Sequence, residues 1–391
     1  MNPVQRFYFD HNATTPLAPE VLETMVSCLG QVYGNASSIH YFGQTAKQRL
    51  EAARRQLAEL IHANPTEIVF TGGGTEADNM AVLGVVRANG GAPWAGMRHV
   101  ITTAIEHPAV LGPCAQLERE GVAVTRLRPG GSGVVSADDV RRALRPETVL
   151  ISVMHANNEL GTIQPIAEIA RIARQAGVPL HVDGVQALGK IPVDVEALGV
   201  DFYSMSAHKV YAPKGVGALY VRKGTRLAPV TMGGHHERER RPGTENVPGI
   251  AAFGAAAELA GRSLAAEAER LVALRDRLES LVLDHIPGSG INGARWNRTP
   301  NTSNMYFEGI DGEALVIALD LRGFAVSTGA ACSSGAIAPS HVLTAIGLDA
   351  ERARACMRFS LGRSNTAEQV DALVEALTTS VAHLRRISVH A

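Results

Sequence analysis

The chain has 391 residues, 46% of them hydrophobic and 19% charged, with a formal net charge of −1 at pH 7. That length allows two or three domain-sized units with large cores. The balanced charge gives no reason to expect a nucleic-acid or anionic-membrane partner, and no uninterrupted apolar run is long enough to read as a membrane span.

The opening MNPVQRFYFDHNATTP lacks a basic stretch followed by an apolar one, so it does not read as a signal peptide, and the default location is the cytoplasm. Short apolar strands then alternate with helical stretches over the first two-thirds of the chain. The strands are EIVFT (67–71), HVITT (99–103), TVLISVM (148–154), PLHVD (179–183), DFYSMS (201–206) and GALYV (217–221). GTEADNMAVLGVVRA and PIAEIARIARQAG read as helices between them. Near-continuous apolar strands separated by helices indicate an α/β fold with a buried, mainly parallel sheet. A proline-free, Ala-, Leu- and Glu-rich stretch from about 250 to 286 reads as one long helix or two joined ones. Beyond it NTSNMYF and GFAVS read as strands, and EALVIALDLR and AEQVDALVEALTTSVAHLRRI as helices, the pattern of a smaller α+β domain. Glycine-rich loops at 231–249 and 327–340 interrupt this order, and such loops often carry function.

Four cysteines, Cys28, Cys114, Cys332 and Cys356, lie far apart with no CxxC pair, so neither a zinc site nor a disulfide framework is expected. Cys28 and Cys114 fall in apolar helical patterns, and Cys356 directly precedes the MRFSLGR strand; all three read as buried. Cys332 lies among small residues in STGAACSSG, which fits either an accessible thiol or a small residue filling a turn.

Three strand ends carry candidate chemistry. TGGGTEADN follows a strand and opens a helix: it is either a phosphate cradle, with Thr75 adding a hydroxyl, or an ordinary turn with Thr75 as N-cap. In HVDGVQALGK, Asp183 ends an apolar strand. It can pair with a protonated pyridine nitrogen, with Gln186 near the same ring, or simply cap the next helix. In SMSAHKVYAPKGVG, Lys209 follows a strand end, and Ser206 and His208 can donate to a phosphate. The chain has only five lysines, Lys47, Lys190, Lys209, Lys214 and Lys223. Lys47 lies in a helical stretch and the other three flank turns, so Lys209 is the best placed for a Schiff base.

These motifs coincide with one family. YFDHNATTP, GNASSIH, EIVFTGGGTEADN, TAIEHPAVL, MHANNELGTIQPI, HVDGVQALGK, SAHKVYAPKGVGALY, GGHHERERRPGTENV, AACSSG, IAPSHVL and MRFSLGR occur in order along essentially the whole chain. The sequence resembles the NifS/IscS-type cysteine desulfurases, in the class V aminotransferase group of fold-type I enzymes dependent on pyridoxal 5'-phosphate (PLP). The resemblance implies a seven-stranded, mainly parallel sheet in a large PLP-binding domain (15–260). It implies a smaller α+β domain (1–14 and 261–391) carrying the catalytic cysteine loop. Ala36 replaces the usual proline of GNPSS, and Ala330 and Ser333 replace residues of the usual SACTS; all are small-for-small changes.

Residue by residue, Gly74, Thr75, Ser206 and His208 match phosphate-binding positions. Thr244 matches a phosphate contact given to the neighbouring subunit, which implies a homodimer. His107 matches the histidine stacked on the cofactor ring, a catalytic residue that moves protons. Asp183 and Gln186 match the partners of the ring nitrogen and ring oxygen, and Asn157 and Arg358 the binders of the substrate carboxylate. Lys209 matches the cofactor lysine and Cys332 the persulfide cysteine, on a loop whose length fits the long, mobile class. The implied reaction converts L-cysteine to L-alanine and passes the sulfur to an acceptor protein, such as an iron–sulfur scaffold. A selenocysteine lyase or another class V PLP enzyme is the alternative. A simple aminotransferase would not need Cys332, and a non-catalytic scaffold would be expected to lose it or Lys209.

Overall fold

A computed structural model describes residues 5–89, 98–328 and 339–388. In the first half, β1 (Phe7–Tyr8) precedes α1 (Pro19–Gln31), α2 (Tyr41–Leu60), β2 (Ile68–Thr71) and α3 (Gly74–Ala88). Then come β3 (His99–Thr103), α4 (Pro108–Arg119), β4 (Ala123–Leu127), α5 (Ala137–Ala143) and β5 (Thr148–Met154). They are followed by α6 (Ile166–Ala176), β6 (Leu180–Asp183), α7 (Val195–Leu198), β7 (Phe202–Ser206) and β8 (Gly217–Val221). The last third holds α8 (Val247–His285), β9 (Ser289–Ile291), β10 (Thr302–Phe307), α9 (Gly312–Asp320), β11 (Phe324–Ala325), α10 (His341–Ala345), α11 (Ala350–Arg354), β12 (Cys356–Ser360) and α12 (Ala367–Ser388).

Seven strands form one sheet in the order β2-β8-β7-β6-β5-β3-β4. β8 runs antiparallel to both its neighbours, and every other pair is parallel. β2, β3, β6, β7 and β8 are buried along their whole length, as expected of strands covered by helices on both faces. Because six strands point the same way, the ends of β2, β3, β5, β6 and β7 open on one crevice, where parallel sheets bind ligands.

α8 is one continuous helix of 39 residues. It starts three residues earlier than the apolar pattern, because the Asn246 side chain accepts from Gly249 N at 3.1 Å and Pro248 sits in the first turn, where its missing N–H costs nothing. Its first half, from Val247 to Ala257, joins the core that lies under the seven-stranded sheet. Leu271, Leu274, Leu278 and Val282 join a second core with Phe9, Met305, Phe307, Met357, Phe359 and Leu373, around the three-stranded sheet β12-β10-β9. The N-terminal segment belongs with this second layer: β1 pairs with β11, and Asp10 bridges to Ser360.

Two sequence expectations change and one strand was not foreseen. GFAVS is a strand over only two residues, Phe324–Ala325. AVTRL, whose apolar run is broken by Thr125 and Arg126, forms the exposed edge strand β4. Cys356 does not precede its strand but opens it, paired across β10 with Tyr306.

Candidate active site

β2 delivers the phosphate loop. α3 begins at Gly74 with Gly73 as N-cap and no side-chain cap. Thr75 is therefore not the N-cap that a plain turn would have used; it lies exposed in the first turn. A Cβ on Gly74 would come within 2.8 Å of Val185 Cγ2 and 3.2 Å of Ser206 Cβ, so only glycine fits where three strand ends converge. The uncapped N–H groups and the helix dipole suit an anion.

Asp183 ends β6 and is buried. Its Oδ1 accepts from Val185 N at 3.0 Å, so it does cap the following turn. That bond leaves the charge uncompensated. Burial first, then Asp78, push its carboxyl up to about 7, and no described lysine or arginine forms an ion pair with it. Lys209 follows β7 and is half-buried; its Nζ donates to the carbonyls of Asn12 (2.5 Å) and Ala13 (2.7 Å). Burial and then the Arg358 cation lower its pKa to about 8. Among the other lysines Lys47, Lys214 and Lys223 are exposed.

His107 caps α4, Nδ1 accepting from Ala109 N at 3.1 Å, which leaves Nε2 for other partners. Its ring has an open face, yet the protein on its other sides disfavours the cation; this desolvation lowers its pKa, and Asp183 opposes the shift. Ser206 is buried at the end of β7, and His208 Nδ1 lies 3.1 Å from Thr14 Oγ1. Gln186 donates from Nε2 to Asn12 O at 3.0 Å and accepts from Lys190 Nζ at 2.5 Å.

The two expected carboxylate binders differ. Arg358, on β12, is buried; it donates to Asp10 Oδ1 at 2.7 Å and to Asn158 O at 3.1 Å, while its Nε has no partner. Unused donors thus remain for a substrate carboxylate. Asn157 has none to spare. Its Nδ2 donates to Ile105 O and Met154 Sδ, and its Oδ1 accepts from Glu159 and Leu160 N, so the amide shapes its own turn.

Thr244 is exposed, in a segment stitched to the phosphate loop. Glu237, Arg238 and Glu239 in that segment take φ of 46°, 57° and 64°, a left-handed run that non-glycine residues rarely adopt. Two ion pairs hold it there. Buried Arg54 grips Glu237 at 2.7 and 2.8 Å, and Glu237 Oε2 also accepts from Phe70 N at 2.9 Å. Arg241 grips Glu76 at 2.8 Å, and Glu76 accepts from Gly72 N.

Cys332 lies outside the described residues, as do Ala330, Ser333 and most of their loop. Both described ends of that loop sit at the site. Ser327 exchanges backbone bonds with Arg358, Ser340 Oγ donates to Glu159 at 2.6 Å, and His341 Nε2 lies 2.9 Å from Glu106 O.

The arrangement fits PLP. It offers an anion cradle that a Cβ would fill, a buried carboxylate lacking a cation, and an amine of lowered basicity facing only carbonyls. Sequence reasoning missed Asn12, Lys190 and Asp10. Asn12, buried in the polar run DHNATT after β1, bonds through its backbone and side chain to Ser360, Thr302, Asn301, Gln186 and Lys209. That polar run was the available signal.

The family model for aminotransferase class-V matches residues 7–373. A protein from Dictyoglomus turgidum named cysteine desulfurase IscS is 47% identical over 97% of this chain and 96% of its own length. One of the same name from Anaeromyxobacter dehalogenans is 48% identical over 97% and 94%. A solved structure titled a NifS-like protein superimposes with a TM-score of 0.90 at 37% identity, covering 97% of this chain and all of that one. Another, titled SspA in complex with cysteine, gives 0.80 at 37% identity over 90% and 98%.

Proposed function

Since the chain belongs to the class V aminotransferase family and is a PLP-dependent cysteine desulfurase, we propose that Lys209 holds the cofactor and Cys332 receives the sulfur. The observation that carries this reading is the Lys209 amine, half-buried beyond the end of β7 beside Asp183 and less basic than an ordinary lysine.

When bound, PLP would supply an electron sink that acidifies the substrate's α-carbon and weakens the substrate's Cβ–S bond. Gly74, Thr75, Ser206 and His208 hold its phosphate, and Asp183 keeps a proton on its ring nitrogen. Arg358, oriented by Asp10, takes the substrate carboxylate. With cofactor and substrate bound, the Lys209 amine would be the base for the α-proton, and its lowered pKa raises the share of it that is neutral near physiological pH. His107 Nε2 exchanges a proton with the substrate thiol.

The Cys332 thiolate then attacks the substrate sulfur. A new S–S bond forms as the Cβ–S bond breaks, leaving a persulfide on the enzyme and, after protonation of the carbon, alanine. Two observations support Cys332. Five residues of chain from Ser327 reach roughly 17 Å, enough to enter the crevice. The thiols of Cys28, Cys114 and Cys356 are buried, with burial pushing the latter two up to about 12, so they are poor nucleophiles.

We further propose a homodimer in which Thr244 completes the partner's cradle. Leu22, Val26, Leu29, Tyr33, Ile39 and Tyr41 expose apolar surface together, with Tyr33 stacked on Phe42, and such surface commonly marks an interface. The acceptor is taken to be an iron–sulfur scaffold protein in the cytoplasm, the partner that the sequence resemblance implies. The two cores support the expected division at about 15 and 260. Reducing the holoenzyme with borohydride tests the central assignment. The cofactor should be fixed to the peptide carrying Lys209, and Lys209→Ala should retain none; label on Lys190 or Lys214 would overturn it.

A further inference from the structure

Lys190 closes the turn after β6, yet its amine does not face solvent. The residue as a whole is half-buried, but its Nζ lies deep in the protein. It donates to Gln186 Oε1 at 2.5 Å and to Asn12 Oδ1 at 3.3 Å, and no carboxylate among the described residues pairs with it. A buried ammonium without an acid is expensive, so the position needs a reason.

Its surroundings supply one. Lys190 and Lys209 line the same small cavity, of about 40 Å³, with His11, Glu267, Asn301 and Arg363. Glu267 is committed to Arg270, and Arg363 lies over Tyr211. Burial followed by the Lys190 charge holds the buried His11 ring neutral, with its pKa lowered to about 4 against an opposing contact with the Tyr8 backbone. Burial, then Lys209 and Arg358, drive the Lys190 pKa well below the ordinary lysine value. Asp10 and Asp183 are the carboxylates that act on Lys209.

The hydrogen bonds run in one direction. The Asn12 backbone carbonyl can only accept, so the Gln186 group facing it at 3.0 Å is Nε2 and the group facing Lys190 Nζ at 2.5 Å is the oxygen. That fixes the amide: Nε2 gives one hydrogen to Asn12 O and keeps the other free. The same Asn12 carbonyl accepts from Lys209 Nζ, and the Asn12 side-chain oxygen is held by Lys190 and Asn301. Lys190 thereby stands behind both Gln186 and the carbonyl on which the reactive amine rests.

We propose that Lys190 is a positioning residue for the desulfurase reaction: it sets the Gln186 amide with its spare N–H toward the cofactor and, through Gln186 and the Asn12 side chain, steadies the residue whose backbone carbonyl orients Lys209. The Gln186 half rests on the cofactor contact proposed above. The test is a pH titration of the holoenzyme's visible band, which reports protonation where the cofactor joins Lys209, together with kcat and KM for cysteine.

Lys190→Met removes a nearby donor and charge, so the protonated form should be favoured and the midpoint should rise by about one pH unit, a tenfold gain in proton affinity. kcat should fall about tenfold with KM nearly unchanged. Lys190→Arg, which keeps a donor and a charge, should bring the midpoint back toward the parent value. Should Lys190→Met fail to fold, Lys190→Gln, uncharged but still a donor, should show the same direction of shift. A parent-like midpoint in the folded Met or Gln variant overturns the proposal, even if Gln186→Ala shifts the band. A band unmoved by Gln186→Ala overturns the Gln186 contact instead, and the Lys190 midpoint then decides the Asn12 half alone.

Discussion

At the scale of residues, the chemistry rests on the half-buried Lys209 amine and the buried Asp183 carboxyl, neither of them in an ion pair among the described residues. Lys209 has a pKa of about 8, so roughly a quarter of it is neutral at pH 7.5, against about a thousandth of an ordinary lysine. The direction matters: a lowered pKa means the nucleophilic form gains with rising pH and saturates early. Attachment of PLP to the apoprotein should therefore accelerate with pH and level off above about 8. A rate still climbing toward pH 10 would mark an ordinary lysine. Asp183 is the complementary case. Asp183→Asn keeps an oxygen for Val185 N but loses the charge that retains the ring proton. The variant should still bind PLP covalently while kcat falls on the order of a hundredfold or more, the scale of losing one preorganised charge. Unchanged kcat would remove Asp183 from the reaction.

At the scale of elements, the sequence was most readable where burial is uniform. β3, β5 and β8 and helix α3 have the bounds their apolar runs set, because a strand covered on both faces must be apolar throughout. β4 escaped because an edge strand can be polar, and GFAVS shrank to two residues because β1 pairs only with Phe324 and Ala325, while Ser327 forms an isolated bridge to Arg358. The site was legible where chemistry follows a strand end, as with Gly74, Asp183 and Lys209. It was illegible where a loop supplies a carbonyl or a buried charge. Asn12 acts on Lys209 through its backbone oxygen, and no residue type advertises that. Glu237 lies in a charged run, HERERR, that reads as solvated, yet it is buried against Arg54. Removing one member of a buried pair leaves the other unpaired, so Glu237→Gln should cost about 3–5 kcal/mol and lower Tm. The exposed Arg126–Glu118 pair is the control: Glu118→Gln should cost no more than about 1 kcal/mol. Equal losses in the two variants would show that Glu237 does not anchor the 231–249 segment.

At the scale of the whole molecule, α8 ties two cores together, and the crevice lies between them: Asp183 and Lys209 come from the seven-stranded sheet, Arg358 from β12. On the proposed assignments, substrate and cofactor would be gripped by different layers. The exposed apolar face around Leu22, Leu29 and Tyr33 and the exposed Thr244 are the surfaces that the proposed dimer would cover. Sedimentation should give a dimer, and Leu29→Glu with Tyr33→Asp should give a monomer that loses PLP more readily; a parent chain that sediments as a monomer would exclude a shared cradle. The most direct measurement is to give the holoenzyme L-cysteine without acceptor or reductant, count the alanine, and locate the added sulfur by peptide mass. The account predicts one sulfur on the peptide carrying Cys332 for each first-turnover alanine. Alanine formed at the same rate by Cys332→Ala, or sulfur found on Cys28, Cys114 or Cys356 instead, would contradict it.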